Sequence, residues 1–434
     1  MCSTKEILKL HLALCCLFIL VPSALALAQD PSGRPKDAGK KKTGTRKPVV
    51  KTDSQPTVIL TVLTDPPQSA VYINGERRGQ TNADGRIQFE KLPVGHYSVE
   101  VRKEGYHPIL RGFEAGSEEP TLVFKLEPNL EDYLKQFDAL MSAGKLSGPE
   151  SPNAIEFLDT LSKKFPGRPE VERLRVVLAA KFTEVVPPVV THTVVDWRAV
   201  TRNELLQALN GLTNATMVKP DDTRFQAGAA YFRGVLALYD WQTSGRPQAG
   251  GASSGAGNLA SARSELEKAL SLQDSFAAAR YQLGKVLLYS SDGAAAEASF
   301  LRASQAEPGW SQPRTGLGEA YYQMSKYKEA IDAFKKALEI EPKNATAQAG
   351  LGLARWSKGE KDGVKDLERA VQMDPGCAVA HLHLGTVYSQ SKSKKDVAKA
   401  EGELKTAIQL NANNLEFANS DVEQRIADLK KKKK

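Results

Sequence analysis

The pattern closest to covalent chemistry is Gly251-Ala252-Ser253-Ser254-Gly255, which fits the G-x-S-x-G arrangement of a serine nucleophile. That arrangement works only where a strand, a sharp turn and a helix hold the serine strained and exposed. Here it falls in a low-complexity Gly/Ser-rich stretch, so the expectation is a loop. His381 and His383 are the nearest candidates for metal ligands. Two positions apart on a helix they diverge, whereas zinc-binding helices space their ligands i,i+4. No cysteine pair or nearby acidic cluster completes a tetrahedral set. Phosphate-binding loops, H-E-x-x-H and C-x-x-C are all missing from the sequence. The chain is therefore expected to be no enzyme and to hold neither metal nor cofactor.

Charge narrows the partners. The net charge of +8 would suit nucleic acid or an anionic surface. It is unevenly placed, however: residues 1–28 carry +1, residues 29–51 carry +6 and Lys430 to Lys434 carry +5, which leaves −4 on residues 52–429. A nucleic-acid groove needs its basic residues clustered on a folded face, so no nucleic-acid partner is expected. The lysine runs at Lys40 to Lys42 and Lys430 to Lys434 read mainly as solvated ends, with an anionic wall polymer or lipid as the other possible contact.

Residues 1–28 have the organisation of a signal peptide. Lys5 and Lys9 precede an apolar run from Leu10 to Val21, and Ala26-Leu27-Ala28 forms a small-x-small cleavage site. The apolar run is shorter than the ~20 residues that span a bilayer. Cleavage would remove Cys2, Cys15 and Cys16 and leave Cys377 alone, so no internal disulfide is expected in an extracytoplasmic protein. Residues 29–56 form a basic linker without apolar period.

From Thr57 the apolar residues alternate: Val58, Leu60 and Val62, then Val71 and Ile73, then Tyr97, Val99 and Val101, then Leu122, Phe124 and Leu126. Period two, broken by turn residues, predicts half-buried antiparallel strands, and Asn74-Gly75 predicts a tight hairpin. Residues 57–127 should fold as a small all-β sandwich. The segments Asp65 to Gly75, Gly79-Gln80-Thr81, Leu92-Pro93-Val94-Gly95-His96-Tyr97 and Lys103-Glu104-Gly105-Tyr106 resemble the PEGA domain family. The signature tetrad stands here as Pro67-Gln68-Ser69-Ala70, with its Glu and Gly replaced. Thr81 to Tyr106 is also similar to the carboxypeptidase regulatory-like sandwich. Either resemblance implies a non-catalytic extracytoplasmic module.

Past Pro128 the period becomes 3.6, with Leu130, Leu134, Phe137 and Leu140 on one face. Residues 128–222 read as helices, possible degenerate repeats, interrupted by an extended Pro-Pro stretch from Val185 to Asp196. Thr201 to Glu204 spells a capping box.

The dominant signal is a repeat over residues 223–410. Leu283-Gly284, Leu317-Gly318 and Leu351-Gly352 recur every 34 residues, and Leu384-Gly385 follows after 33. Phe300, Phe334, Leu367 and Leu404 mark second helices, with Ala303, Ala337, Ala370 and Ala407 three positions later. Pro308, Pro342 and Pro375 end units. An earlier unit is split by a Gly/Ser-rich insertion at residues 243–258, expected to be disordered. These positions match the tetratricopeptide repeat (TPR), a two-helix unit that stacks into an all-α solenoid. Arg355, where an aromatic packs in the family, predicts that its unit is loose. Residues 411–429 should form a capping helix, and residues 430–434 a tail.

In the family so resembled, peptides lie in a groove lined by first helices. The resemblance implies groove positions at Tyr281, Lys285, Leu288 and Tyr289, then Thr315, Glu319, Tyr322 and Gln323, then Leu353, Trp356 and Ser357. The lysine and asparagine set that clamps a terminal carboxylate in some relatives is replaced by Thr315, Glu319 and Leu353. The expected function is an exported scaffold of the bacterial cell envelope, periplasmic or surface-exposed, holding a protein or peptide in this groove. The alternative is a carbohydrate- or wall-binding protein acting through Tyr72, Tyr97 and Tyr106 of the β-domain.

Overall fold

The computed structural model describes residues 56–116, 119–195, 197–245, 256–391, 393–413 and 415–433. The expected signal peptide, almost all of the basic linker and the Ser253 motif lie outside the described residues. Two compact units divide the chain between Leu174 and Arg175.

The N-terminal unit is built on seven strands in two sheets. One has the order β4(Arg86–Pro93)-β1(Thr57–Asp65)-β7(Thr121–Lys125), the other β3(Glu76–Gln80)-β2(Ala70–Ile73)-β5(Gly95–Arg102)-β6(Ile109–Ala115). All pairings are antiparallel except β1 with β7. The alternating residues Leu60, Val62, Val71, Ile73, Val99, Val101 and Phe124 face inward and form its core, as period two requires. Asn74 and Gly75 take φ of 52° and 82°, the left-handed pair that a two-residue hairpin needs.

Two helices, Leu130–Ser142 and Ala154–Lys164, belong to this same unit. Lys164 Nζ donates to the hydroxyls of Tyr133 at 2.6 Å and Tyr106 at 2.9 Å. Tyr133 also packs edge-on against Phe165. Gly105 has φ +78°, and a β-carbon there would stand 2.9 Å from the Tyr133 ring. These two helices thus pack on the β-domain.

The second unit starts with a departure from expectation. Val186–Val195 is an α-helix rather than an extended stretch. Pro187 and Pro188 sit in its first turn, where backbone N–H groups have no intrahelical acceptor and a fixed φ costs nothing. A 3-10 turn, Trp197–Ala199, follows. The capping box then forms as spelled, with the Glu204 side chain accepting from the Thr201 backbone N–H and Thr201 Oγ1 from the Glu204 N–H.

Five helical pairs follow the helix Arg202–Val218: Thr223–Asp240 with Ala256–Leu272, Ala277–Tyr289 with Gly293–Ala306, Gln312–Gln323 with Tyr327–Ile340, Ala345–Ser357 with Gly363–Met373, and Ala378–Ser389 with Lys394–Leu410. The repeated glycines lie where helices cross. A β-carbon on Gly284 or Gly316 would come within 2.6 Å of the Phe300 ring, and one on Gly318 within 2.6 Å of the Phe334 ring. Each phenylalanine is therefore a buried wedge between successive first helices, accommodated only because both neighbours lack a side chain.

The unit carrying Arg355, expected to be loose, is closed by other means. Arg355 Nη1 pairs with Asp366 Oδ2 at 2.7 Å. Gly363 stands where Ala296 and Ala330 stand in the two preceding pairs, and the backbones of Gly352 and Gly363 approach so closely that neither position has room for a β-carbon.

The insertion is shorter than the sequence suggested. Trp241–Gly245 forms one π-helical turn and a helix resumes at Ala256. At the far end Leu415 and Ala418 precede the last helix, Asn419–Lys433, which takes Lys430 to Lys433 into its own last turns instead of releasing them as a tail. Val422, Ile426 and Leu429 cover the core of the final pair. No helix among the described residues is long and apolar enough to cross a membrane.

Candidate functional site

The concave face of the second unit encloses a cavity of about 490 Å³. First helices of successive pairs supply its floor. Spacing of i, i+4 and i+7 puts Tyr281, Lys285 and Leu288 on one stripe of Ala277–Tyr289, and Thr315, Glu319 and Tyr322 on the matching stripe of Gln312–Gln323. These six line the cavity together with Tyr289 and Leu353. Three groove positions inferred from the family do not. Gln323 is exposed and donates from Nε2 to Leu288 O at 3.1 Å. Trp356 packs against the core of the last two pairs, and Ser357 Oγ lies 3.2 Å from the Tyr322 hydroxyl.

Two segments that sequence reasoning missed narrow the groove to a cavity. From the N-terminal side come Val194, Val195 and Trp197. From the C-terminal side comes the turn Leu415-Glu416-Phe417. Asn411 shapes that turn: its Nδ2 donates to Phe417 O at 2.7 Å, and its Oδ1 accepts from Glu416 N at 3.1 Å. One buried amide holds both segments. Gln242, in the π-helical turn, accepts from Trp197 Nε1 at 3.0 Å and donates to Leu415 O at 2.7 Å and to Tyr289 Oη at 3.0 Å. Gln282 fastens the helix Val186–Val195 in the same way, donating to Thr193 O at 2.6 Å. A fully buried glutamine is costly unless its amide is engaged, and both of these direct their amide N–H groups to the segments that close the groove.

The cavity is electrostatically tense. Lys285 Nζ lies 4.1 Å from the Trp197 ring centroid and 5.9 Å from that of Tyr281. Glu319 is open to the cavity's own solvent but walled by protein. That desolvation pushes its carboxyl up to about 7, against the opposing pull of Lys285, with Glu416 adding a further upward push. Burial lowers His383, also in the wall, to about 4, so its imidazole is neutral at pH 7. Burial likewise raises the Tyr281 phenol.

The other candidate chemistry resolves into packing. His381 is buried, its Nδ1 2.6 Å from Glu403 Oε2 and its Nε2 3.0 Å from Pro375 O. Among the described residues no group of acidic, histidine or cysteine side chains is arranged to hold a metal. In the β-domain Tyr72 lies under Arg102, Tyr97 stacks on Phe113 and Tyr106 is held by Lys164. The three tyrosines are half-buried and engaged, and do not form an open platform of rings.

A PEGA domain joined to a tetratricopeptide-repeat solenoid is thus the class of protein the fold defines. Residues 57–129 match the PEGA domain and residues 318–359 match the TPR repeat. Solved structures to which the chain is similar include a tetratricopeptide repeat protein from Parabacteroides merdae (14% identity over 69% of this chain and 98% of that one, TM-score 0.39). Others are TTC0263 from Thermus thermophilus (19%, 40% and 91%, 0.35) and YrrB, described as a TPR protein with an unusual peptide-binding site (21%, 52% and 100%, 0.31). No curated protein matches the chain.

Proposed function

We propose that the protein is a non-catalytic scaffold, exported to the cell envelope, that holds a partner protein through the concave face of its repeats. The observation that carries this reading is the convergence of Tyr281, Tyr289, Tyr322 and Leu353, from three successive pairs, on one cavity. Aromatic side chains in a partly desolvated recess bury large area at little entropic cost, which suits a protein ligand. The tetratricopeptide match supports the same reading. Export rests on the leader-like pattern of residues 1–28.

Photo-crosslinking tests it. A benzophenone amino acid in place of Leu288, at the cavity wall, should form a discrete adduct in cells, whereas the same group in place of exposed Lys336 should not. An adduct at Lys336 and none at Leu288 would move the partner to the convex side.

A further inference from the structure

We propose that the concave cavity is a socket for one basic side chain, a lysine or arginine of the partner, whose head group meets Glu319 among the rings of Tyr281, Tyr289 and Tyr322. The inference rests on the protein-binding reading above and specifies its ligand.

Size is the first argument. Trp197 on one side and Leu415 to Phe417 on the other leave about 490 Å³ of what would otherwise be an open groove. That volume falls in the range of pockets for compact ligands, roughly 300–1,000 Å³. It admits one or two side chains and not a long extended peptide.

Charge is the second. The ionisable groups of the lining are Glu319, Glu341 and Glu416 against Lys285, with His383 neutral. Glu341 is already engaged, accepting from Ser311 Oγ at 2.5 Å and from Asn344 Nδ2 at 3.2 Å. Among the described residues Glu319 has neither a hydrogen-bond donor nor an ion-pair partner within 4 Å. A carboxylate that faces a protein-walled recess without a donor of its own gains from any cation that reaches it.

The third argument is that the recess already accommodates a cation: Lys285 Nζ sits over the Trp197 ring. Aromatic walls attract ammonium and guanidinium groups through the ring quadrupole, most strongly where water is excluded. A second cation would find the rings of Tyr281, Tyr289 and Tyr322 in the same lining.

The proposal has a proton signature. With Lys285, Glu416, Tyr281, Tyr322 and His383 around it, Glu319 is partly protonated near neutrality, and an arriving cation must displace that proton. Binding should strengthen as pH rises through about 7.

The test uses the full chain and three labelled synthetic peptides, acetyl-Gly-Ser-Leu-Xaa-Leu-Ser-Gly with Xaa arginine, norleucine or glutamate, followed by fluorescence anisotropy at pH 6 and pH 8. The arginine peptide should bind at least about tenfold tighter than norleucine, with glutamate weakest, and several-fold tighter at pH 8 than at pH 6. Glu319→Gln, nearly isosteric, should cut the arginine preference to threefold or less and abolish the pH effect while melting no earlier than the parent. Norleucine binding as well as arginine, or an arginine preference untouched by Glu319→Gln, overturns the socket and leaves the groove standing. Binding of none of the three overturns both.

Discussion

Replacing Gly318 by alanine sets two effects of opposite sign against each other. In an exposed helix interior the change gains about 1 kcal/mol from helix propensity alone. Gly402 supplies that baseline: it is helical and exposed, and a β-carbon there meets nothing within 4 Å. At Gly318 the new carbon would stand 2.6 Å from Phe334 Cε1 and 2.7 Å from Cδ1 and Cζ. Ordinary carbon contacts begin near 3.5 Å, so the overlap is about 0.9 Å against three ring atoms. Phe334 is 2% exposed and is backed by Gly350 of the next first helix, so it cannot swing away. Overpacking of this kind costs about 1–3 kcal/mol, which outweighs propensity. The expected result is Gly402→Ala stabilising by up to ~1 kcal/mol and Gly318→Ala destabilising by about 1–2 kcal/mol. Urea titration followed by far-UV circular dichroism reads both as shifts of midpoint at unchanged slope. Phe334→Leu shortens the wedge, and the pair Gly318→Ala, Phe334→Leu should show a favourable coupling of about 1 kcal/mol or more. If Gly318→Ala stabilised as much as Gly402→Ala, the account of these glycines as crossing points would be wrong.

Three further outcomes are expected from the geometry and one from the sequence. Burial depresses His383, so between pH 6.5 and about 4 the unfolded state binds the extra proton and stability falls with pH; His383→Gln should flatten that limb in melts taken from pH 7 to 4. Glu319 has the reverse sign, because a raised folded pKa removes stability as pH climbs from 4.5 through about 7, and Glu319→Gln should therefore melt later than the parent at pH 8. Trp356→Ala should destabilise by roughly 2–3 kcal/mol through the core of the last pairs and leave ligand binding within a factor of two, whereas Tyr322→Ala should weaken binding. Material recovered from its native host should begin at Gln29, and an intact Met1 on N-terminal sequencing would contradict cleavage after Ala28.

The solenoid was legible because its signal repeats: Leu-Gly and Phe/Leu markers 33 or 34 residues apart carry the crossing geometry in the residues themselves. The strands were legible for a similar reason, since period two maps onto one buried face. The stripe from Tyr281 to Leu288 and its copy from Thr315 to Tyr322 carried over because the two pairs stack alike. Trp356 did not, although it occupies the position equivalent to Tyr322, because the closing core captures its ring. What no pattern could reveal is contact between distant segments. Gln242 and Leu415 are 173 positions apart, and Gln282 and Thr193 are 89 apart. The Pro-Pro pair at 187 and 188 misled because proline forbids a helix interior and tolerates a helix start, which sequence alone did not separate. Nothing in the period of Leu130–Ser142 distinguishes a repeat helix from one that packs beside Tyr106.

The amide of Gln242 bears on how this array comes apart. Stacked repeats ordinarily behave as a line of nearest neighbours, so an end unit can fray while the middle stays folded. A hydrogen bond from the first pair to the turn beyond the fifth joins the two ends of the line, and Trp197 and Tyr289 are tied to the same side chain. Losing the last helix then removes support from the first pair as well, and closing the long loop delays the point in folding at which that support arrives. The elastic breathing usual in a superhelix is thereby restrained at the cavity mouth, where Gln242, Gln282 and Asn411 hold the segments that carry Trp197 and Phe417.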